Sequence, residues 1–513
     1  MKGRPYIADE QDRMVLLHGA IPAGLLDFWT GTDQTRADVP PSYPIDPAAY
    51  SGSRCPPNSR LSHYPALCHA DLSEMSAFGF NSVRLPLSWS LLEPERGLIN
   101  QMYVDRIAQV VDWARGQGMY VIIDMHQNAY SRFIGPGPGV DLSQLSGAPK
   151  WATLTDGFPS HVIGGQRELN TTVFEAATNF WYNRDGIQDE YIAAVASLAK
   201  RFKDDSAVAG FSVFNEPWPG WSVSPAFEDL LLFPFYRRVI DAITGVRDGI
   251  PCWTGFFVPA PCGYRDLGVH DLRHLIFLDT GLAREITDFP THLGLALSSY
   301  PNLVLSMHAY THFYTADALL HAPPASYPFG GYDQSYSWAE REAKAMNAAL
   351  FVAEFGNPPS KDSSLLVSQL SEQERHLLGF AFWTWKENGG GWSWGMYDAP
   401  AASSPEVWSG CLRSNRERLL ARVYPRAPAD PNLSYHYDAA TGAFGLTASG
   451  KAGDSPTRVY FPPQVTAFVA AGGAIRSSLL TTNPDGSRFL DVKPAGGAFS
   501  VSVAAAPLDL KGC

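Results

Sequence analysis

The chain has 513 residues, 45% hydrophobic and 18% charged, a composition typical of folded globular proteins that excludes a disordered one. Its length predicts more than one domain, and its formal net charge of −12 argues against a nucleic-acid partner and against tight electrostatic docking on anionic lipid. No run approaches the roughly 18–20 apolar residues of a membrane span, so no transmembrane segment is expected.

The N-terminal residues 1–6 lack the apolar stretch of a secretory signal peptide. Two alternatives stay open, a cytoplasmic protein or a secreted one whose leader has been removed. Two pairs of cysteines lie close together in Pro- or Gly-bearing loop sequence, Cys55 with Cys68 and Cys252 with Cys262. Short loops of this kind carry disulfides in oxidising compartments, so we expect a secreted, extracellular protein.

Apolar runs alternate with amphipathic stretches up to about residue 420, the pattern of a parallel α/β fold. Right-handed crossovers keep the helices of such an alternation outside, so eight strands predict a closed (β/α)₈ barrel, a TIM barrel, over residues 1–424. Three long connections, after the first, third and sixth strands, predict walls around one mouth. The predicted strands are 14–18, 82–87, 120–124, 208–214, 275–279, 303–308, 350–355 and 379–385, and the long connections are 19–70, 125–187 and 309–337.

The composition changes in a proline-punctuated segment, 424–431. Beyond it no helical period is evident, and turn sequences that suit hairpins separate short β segments. We therefore predict a C-terminal β-sandwich domain over residues 425–513, packed on the barrel. Its predicted strands are 433–438, 443–446, 457–461, 465–470, 488–492 and 499–503.

Two glutamates stand where a buried strand gives way to a loop. Glu216 follows the fourth strand in the sequence Phe-Asn-Glu-Pro, and Glu354 closes the seventh. Barrel enzymes build their sites at the carboxyl ends of the strands, so both side chains are expected at one mouth. Two carboxyl groups brought together there are the machinery of glycosidic bond hydrolysis. Either glutamate alone could be a salt-bridge partner, but their matching settings favour catalysis.

Other strand ends supply polar or aromatic side chains that suit the same site. Arg84 is predicted to keep a carboxylate ionised through charge-assisted hydrogen bonds. Asn215 is predicted to hydrogen-bond a sugar hydroxyl, and Trp385 to form the floor beneath the reacting sugar. Singly, such residues are more often barrel-interior residues than ligands, and it is their recurrence that favours a site. The other candidates, which donate to sugar hydroxyls or orient the glutamates, are His126, His308 and Tyr310.

A metal site is the alternative interpretation of the histidines. His308 and His312 are four residues apart, as zinc ligands on a helix are. The segment 303–308 has the pattern of a strand running into a loop, so this spacing does not place them on one face. No phosphate-binding loop, Gly-x-Ser-x-Gly elbow or dinucleotide fingerprint occurs in a convincing setting. Neither a metal nor a cofactor is expected.

The candidate residues resemble the strand-by-strand set of glycoside hydrolase family 5, and longer segments resemble its endoglycoceramidase branch. The resemblance implies a double displacement with retention, in which Glu354 attacks the anomeric carbon while Glu216 protonates the leaving oxygen and then activates water. It also implies carboxyl groups roughly 5–5.5 Å apart, a hydrogen bond from Tyr310 to the nucleophile, and no cofactor. The segments that carry the resemblance are 81–86, 93–94, 124–127, 179–181, 185–189, 215–220, 383–388 and 435–444.

Details of the site follow from the same resemblance. Glu216 is expected to keep its proton because of an apolar strand-end setting and the charge of Glu354. Lys386, next to the predicted floor, is grouped with the substrate-binding residues. Asn128 stands where this branch is expected to carry an Asp, and the segment 18–22 departs from the usual turn after the first strand. Both positions would touch the glycan, so the glycan preference stays open.

An endoglycoceramidase releases an intact oligosaccharide from ceramide, so its site needs a polar side and an apolar side. Apolar loop segments at 25–29, 318–320, 327–329 and 392–394 suit the apolar side. The expected partner is a glycolipid or another β-glycoside, with weak contact to a membrane surface, and a monomer is expected. The alternatives are a family 5 β-glucosidase acting on glucosylceramide, sterol or aryl glycosides, an endo-β-glucanase, and a non-catalytic glycan- or lipid-binding protein.

Overall fold

Eight parallel strands close into a barrel in chain order, and β1 pairs with both β2 and β8. Nearly every residue of these strands is buried, because one face packs inside the barrel and the other against helices. The structure, a computed structural model, describes residues 6–27, 44–50, 55–56, 64–134, 145–224, 226–247, 263, 265–290, 300–321, 331–389, 393–399 and 410–513. The strands are β1 (His18–Ala20), β2 (Ser82–Ser88), β3 (Tyr120–His126), β4 (Val208–Ser212), β5 (Leu275–Asp279), β6 (Leu303–His308), β7 (Ala349–Phe355) and β8 (Phe380–Phe382).

Amphipathic helices connect the strands, and α3 shows why. Asn100 accepts a hydrogen bond from the Tyr103 amide at its start, and Tyr103, Ile107, Val110 and Ala114 bury one face. None of the helices in the described ranges has both the length and the apolarity to cross a membrane. The helices are α1 (His69–Ala77), α2 (Trp89–Leu92), α3 (Gln101–Gly116), α4 (Thr171–Trp181), α5 (Ile187–Phe202), α6 (Phe233–Thr244), α7 (Leu282–Thr287), α8 (Ala316–Leu319), α9 (Gly331–Ala345), α10 (Val367–Arg375) and α11 (Ser414–Leu420).

The predicted barrel is confirmed, with one strand misplaced. The first strand is predicted at 14–18, but β1 is His18–Ala20. The amides of Met14 and Leu16 donate to the carbonyl oxygens of Pro428 and Arg426 at 3.0 and 3.2 Å, and both side chains pack in the C-terminal core. The apolar run is buried as expected, but it is shared between two cores: Met14 and Leu16 complete the C-terminal domain, while Val15 and Leu17 pack inside the barrel. Apolarity alone does not tell which core a side chain joins.

An antiparallel sheet follows the barrel and confirms the predicted C-terminal β domain. The segments predicted at 488–492 and 499–503 are two halves of one strand, which pair with β14 and β13 respectively. Phe444 and Phe461 therefore face each other across the folded sheet, with ring centroids 6.2 Å apart. The position of the boundary between the two domains, after residue 424, stays a prediction. The strands of the pair that precedes the sheet are β9 (Tyr397–Asp398) and β10 (Cys411–Leu412), and those of the sheet are β11 (Tyr424–Ala427), β12 (Ser434–Tyr437), β13 (Phe444–Gly450), β14 (Thr457–Phe461), β15 (Val469–Thr482) and β16 (Arg488–Val503).

Two disulfides join described residues. Cys55 bonds to Cys68 with Cα atoms 5.3 Å apart, as the sequence suggests, and Cys411 bonds to Cys513 with Cα atoms 6.1 Å apart. The second pairing is separated by 102 residues and has no local sequence signal. The pair Cys252 and Cys262 lies outside the described residues.

His18 is buried between the barrel and the C-terminal sheet. Its ring stacks on Phe380 at 4.2 Å and on Tyr424 at 3.8 Å, and neither ring nitrogen has a hydrogen-bond partner in the structure. Burial, together with the charges of Arg422 and Arg426, lowers the pKa of His18 well below its usual value. The folded state therefore requires the neutral ring.

Acid should destabilise this junction. In the unfolded chain His18 takes up a proton near pH 6.5, whereas in the folded protein it stays neutral to a lower pH. The contribution of neutral His18 to the free energy of unfolding is therefore fully present above pH 6.5 and is lost as the pH falls below that value. His18→Phe keeps the stack and cannot titrate. We expect its thermal midpoint to exceed that of wild type at pH 5 and to match it at pH 8. The control is His270→Phe, at an exposed histidine. Parallel pH curves for wild type and His18→Phe would contradict this prediction.

Candidate active site

Glu354 and Glu216 both lie at the mouth formed by the carboxyl ends of the strands. Glu354 belongs to β7, and Glu216 follows β4 with a φ of +41°, which non-glycine residues seldom adopt. The Gln127 side chain donates to the carbonyl oxygens of Asn215 and Glu216 at 2.9 and 2.7 Å. The Glu216 amide is directed at Asp279 Oδ2, 3.3 Å away. These bonds hold the loop of Glu216 in its unusual conformation.

Arg84 is buried at the centre of the mouth, on β2. Its guanidinium donates to Glu354 Oε2 at 3.0 Å and to Asn215 Oδ1 at 2.8 Å. The same group donates to Asp124 Oδ1 at 3.0 Å and to Asp279 Oδ2 at 3.3 Å. Burial alone would lower the pKa of Arg84, but the neighbouring carboxylates raise it above its usual value. The mouth therefore contains a permanent cation surrounded by carboxylates.

Each glutamate also has a donor of its own. The Tyr310 hydroxyl donates to Glu354 Oε1 at 2.6 Å, which is the bond that the family resemblance implies. Burial and the charge of Glu354 raise the pKa of Tyr310 well above its usual value, so the phenol stays protonated. On the other side, His308 Nδ1 lies 3.0 Å from Glu216 Oε1, and Nε2 lies 3.1 Å from Asp279 Oδ2.

The two glutamates have opposite pKa shifts. Burial acts to raise the pKa of Glu216, but the hydrogen bond from His308 and the charges of His308, His126 and Arg84 lower it below its usual value. Burial raises the pKa of Glu354, and the charge of Glu216 adds to this, although His308 and Arg84 oppose it. The difference arises because the imidazole contacts Glu216 directly.

The expected origin of the acidic proton is therefore corrected. The setting of Glu216 is not apolar, since an imidazole is its hydrogen-bond partner. Burial alone would lower the pKa of His308, but the charges of neighbouring carboxylates, with that of Asp279 the largest, raise it well above its usual value. In the free protein the proton resides on His308, and it can pass to Glu216 across the 3.0 Å contact.

His126 and Asn215 line one side of the mouth. His126 Nδ1 lies 2.9 Å from Asp124 Oδ2, and its ring is parallel to that of Trp383, with centroids 5.7 Å apart and an interplanar angle of 4°. The Asn215 amide donates to the carbonyl oxygen of Gln127 at 3.1 Å. Asn215 is buried, and its amide is fixed by protein partners on both sides.

The prediction that Trp385 forms the floor is wrong. Its side chain is 1% exposed, its Nε1 donates to Asp71 at 3.0 Å, and its ring packs edge-on against Phe78. Trp383 is only partly buried and is the tryptophan that stacks on His126. On a continuing strand, residues two apart would share one face, but β8 ends at Phe382, so the two tryptophans are free to point in different directions.

The other two predicted binding residues also have protein partners. Lys386 donates to Asp71 at 2.6 Å and to Glu74 at 3.1 Å, both on α1. Its cation therefore ties the loop after β8 to α1, which corrects its assignment to substrate binding. Asn128 is partly buried, and its Oδ1 accepts a hydrogen bond from Arg167 at 2.8 Å. The position where an Asp is expected thus carries an amide anchored by an arginine.

Four residues of the cluster are not singled out by the sequence. Asp124 and Asp279 are buried acids near the carboxyl ends of β3 and β5, so the strand-end rule that finds Glu354 could have found them. Gln127 and Glu285 carry no such signal, because one acts through backbone contacts and the other lies on α7.

Glu216, Glu285 and His308 present potential metal ligand atoms within 4.8 Å of one another. Both ring nitrogens of His308 already face carboxylates, those of Glu216 and Asp279, as expected of an imidazolium. Sharing of protons accounts for this group without a metal ion. His312 is not part of it, since its ring pairs with Asp317.

Exposed apolar side chains occur on the loops after β2, β3, β4 and β6, which leave the barrel at the carboxyl ends of its strands. Tyr314, on the last of these loops, stacks on Trp394, with ring centroids 5.9 Å apart. Of the apolar segments predicted for the lipid side, 318–320 is largely exposed, while Leu25 and Leu26 are buried. Residues 28–29, 327–329 and 392 lie outside the described residues. The rim, defined by its most exposed members, consists of Leu98, Ile163, Trp221, Val223, Leu319 and Leu320.

Comparisons with known proteins agree with this geometry. The family model described as Cellulase (glycosyl hydrolase family 5) matches residues 58–389. Endoglycoceramidase I of Rhodococcus hoagii is 25% identical over 439 residues, covering 82% of this chain and 79% of that protein. A crystal structure of endogalactoceramidase superposes with a TM-score of 0.71 at 25% identity, covering 98% of both chains. The ganglioside GM3 complex of endo-glycoceramidase II from Rhodococcus sp. gives a TM-score of 0.70 at 22% identity, covering 98% of this chain and all of that one.

Proposed function

The chain belongs to glycosyl hydrolase family 5 and is a glycoside hydrolase, and from that premise we propose that it is a retaining endoglycoceramidase. Such an enzyme hydrolyses the bond between the glycan and the ceramide of a glycosphingolipid. The observation that carries the mechanism is the unequal environment of two carboxyl groups at one mouth. Arg84 and Tyr310 donate to Glu354, whereas His308 shares a proton with Glu216.

In the first step Glu354 attacks the anomeric carbon and forms a glycosyl-enzyme. Two donors, Arg84 at 3.0 Å and Tyr310 at 2.6 Å, stabilise its carboxylate against the effect of burial and fix its orientation. The leaving oxygen takes a proton from Glu216, which has first received it from His308 Nδ1, so that both Glu216 and His308 have lost that proton once the aglycone leaves. His308 then keeps its Nε2 proton, and Nε2 lies 3.1 Å from Asp279 Oδ2.

In the second step Glu216 removes a proton from water, which attacks the glycosyl-enzyme and restores Glu354. Formation of the glycosyl ester removes the negative charge of Glu354. That charge raises the pKa of His308 in the free enzyme, so its loss keeps His308 neutral after the proton has left with the aglycone, and Glu216 stays a carboxylate that can act as a base. The proton that Glu216 takes from water then restores the proton shared with His308.

The likeness to endoglycoceramidases supports the substrate, because it extends over nearly the whole chain, including the C-terminal sheet. The apolar rim supports contact of the mouth with the lipid part of the substrate and weak contact with a membrane surface. The disulfides Cys55–Cys68 and Cys411–Cys513 support a secreted enzyme. An immunoblot that finds the protein only inside the cells would contradict secretion.

The proposed function is tested by hydrolysis of a panel of β-glycosides. The panel contains lactosylceramide, a ganglioside, glucosylceramide, a sterol glucoside, an aryl β-glucoside and soluble cellulose. We expect intact oligosaccharide and ceramide from the first two substrates. The glycolipids are presented both in detergent and in neutral vesicles. Contact through the apolar rim does not depend on charge, so we expect turnover at the vesicle surface to persist at high salt.

Other results would change the assignment. Turnover of the monoglucosides only would be consistent with the proposed mechanism but would assign the enzyme as a β-glucosidase. Turnover of cellulose would favour an endo-β-glucanase. Turnover of none of the substrates, with measurable binding of glycolipid, would favour a binding protein.

A further inference from the structure

A third carboxyl group, that of Glu285, lies beside the proposed acid. Glu285 is 4% exposed, on α7 directly after β5. Its Oε1 lies 3.8 Å from His308 Nδ1, the nitrogen that is 3.0 Å from Glu216 Oε1. This Oε1 is buried and has no hydrogen-bond partner in the structure. The described mechanism does not use this group.

The charges around Glu285 are mostly negative. It faces Glu216 from the loop after β4, Asp279 from β5 and Glu354 from β7, and the nearby cation is His308 on β6. Tyr236, on α6, also lies near enough to Glu285 for the two side chains to interact electrostatically. The Tyr236 hydroxyl donates to the carbonyl oxygen of Asp279. On α7 itself, Arg284 donates to Glu342 of α9, and no arginine of the described residues pairs with Glu285.

A buried carboxyl group with these neighbours favours the neutral form. Burial raises the pKa of Glu285 well above its usual value, and the charge of Glu216 adds to this rise, whereas the charge of His308 opposes it. If Glu285 were ionised, its charge would lie 3.8 Å from His308 Nδ1 and would stabilise the imidazolium. The proton on that nitrogen would then be harder to transfer to Glu216.

We propose that Glu285 is a positioning residue for the proton of the acid step. As a neutral carboxylic acid it lets the proton pass from His308 Nδ1 to Glu216 and on to the glycosidic oxygen. As a carboxylate it retains that proton on His308. One N–H bond breaks and one O–H bond forms at each transfer, with no change in oxidation state. The inference rests on the proposed double displacement, and it predicts that ionisation of Glu285 sets the basic limb of the pH profile.

The test compares Glu285→Gln, which has the same shape and cannot ionise, with wild type. The measured quantity is kcat/KM as a function of pH, because it reports the step in which the aglycone leaves. Two substrates are used, the glycolipid and a dinitrophenyl β-glycoside of the same glycan, whose leaving group needs no proton. For the glycolipid we expect a plateau within about three-fold of wild type and a basic limb displaced upward by about one pH unit or more. For the dinitrophenyl glycoside we expect no basic limb from this group in either protein.

Two controls separate this role from a structural one. Glu228→Gln makes the same change at another buried glutamate, whose described partner is Ser224, and should leave the pH profile in place. A merely structural role of Glu285 would lower kcat/KM on both substrates equally at every pH. An unshifted basic limb in folded Glu285→Gln would overturn the proposal.

Wild type supplies a measurement that does not depend on the folding of a variant. The same basic limb on the glycolipid and on the dinitrophenyl glycoside would also overturn the proposal. Glu216→Ala distinguishes the failure of this inference from the failure of the proposed mechanism. If Glu216 is the acid, this variant loses activity on the glycolipid and keeps kcat/KM on the dinitrophenyl glycoside. Equal losses on both substrates would reject Glu216 as the acid, whatever Glu285 does.

Discussion

Glu354→Ser should lower kcat on the glycolipid by about 10⁴- to 10⁶-fold, with the fold intact. Without the carboxylate no glycosyl-enzyme can form, and in hydrolases that use a covalent intermediate, loss of the nucleophile has an effect of this size. The side chain is 6% exposed, and the smaller serine fits its place. The measurement is the release of oligosaccharide from lactosylceramide, with circular dichroism as the check of folding.

Tyr310→Phe is the graded control for this prediction. It removes one hydroxyl that donates to Glu354 Oε1 and should cost about 10-fold in kcat, in keeping with about 1.5 kcal/mol for a hydrogen bond to a charged group. A 2-deoxy-2-fluoro glycoside should label wild type, and peptide mapping should place the label on Glu354. A label on another residue, or kcat of Glu354→Ser within about ten-fold of wild type, would reject Glu354 as the nucleophile.

Arg84→Met should lower the free energy of unfolding by about 3–5 kcal/mol and abolish activity. Arg84 contacts Asp124, Asp279 and Glu354, and its removal leaves three buried carboxylates with only the imidazoles of His126 and His308 beside two of them. The loss should be larger at pH 8 than at pH 5, because protonation of the carboxyl groups relieves it. In wild type burial acts to raise the pKa of Asp124, but the charge of Arg84, together with His126, lowers it, so that contribution is present at neutral pH and is lost as the pH falls toward the acid range.

The control for Arg84→Met is Arg96→Met, at an exposed arginine that pairs with Glu190 at 3.1 Å. Solvent screens this pair, so the change should cost less than about 1 kcal/mol. Thermal unfolding of both variants at pH 5 and pH 8 measures the difference. Equal stabilities of the two variants would show that the carboxylates at the mouth do not depend on Arg84.

Predictions from the sequence agree with the structure where they depend on residues that are close together in the chain. Apolar runs between amphipathic stretches locate the buried strands, and the ends of those strands locate Glu216, His308 and Glu354, while Arg84 lies within β2 as a charged residue in an apolar run. The same rule fails beyond the strand ends. Trp383 and Trp385 are adjacent candidates in one loop, and only the path of the chain decides that the first lies at the mouth and the second in the core.

The barrel, the C-terminal β domain and several of the residues that meet at the mouth could be predicted from the sequence, because periodicity, turn chemistry and strand ends are properties of neighbouring residues. Tertiary structure decided what depends on contacts between distant segments. Met14 and Leu16 join the C-terminal core, Lys386 pairs with α1, and Cys411 bonds to Cys513. The protonation states of the residues at the mouth also depend on contacts between distant segments. A pKa is set by burial and by the charges within a few ångströms, and those charges are brought together only when the barrel closes.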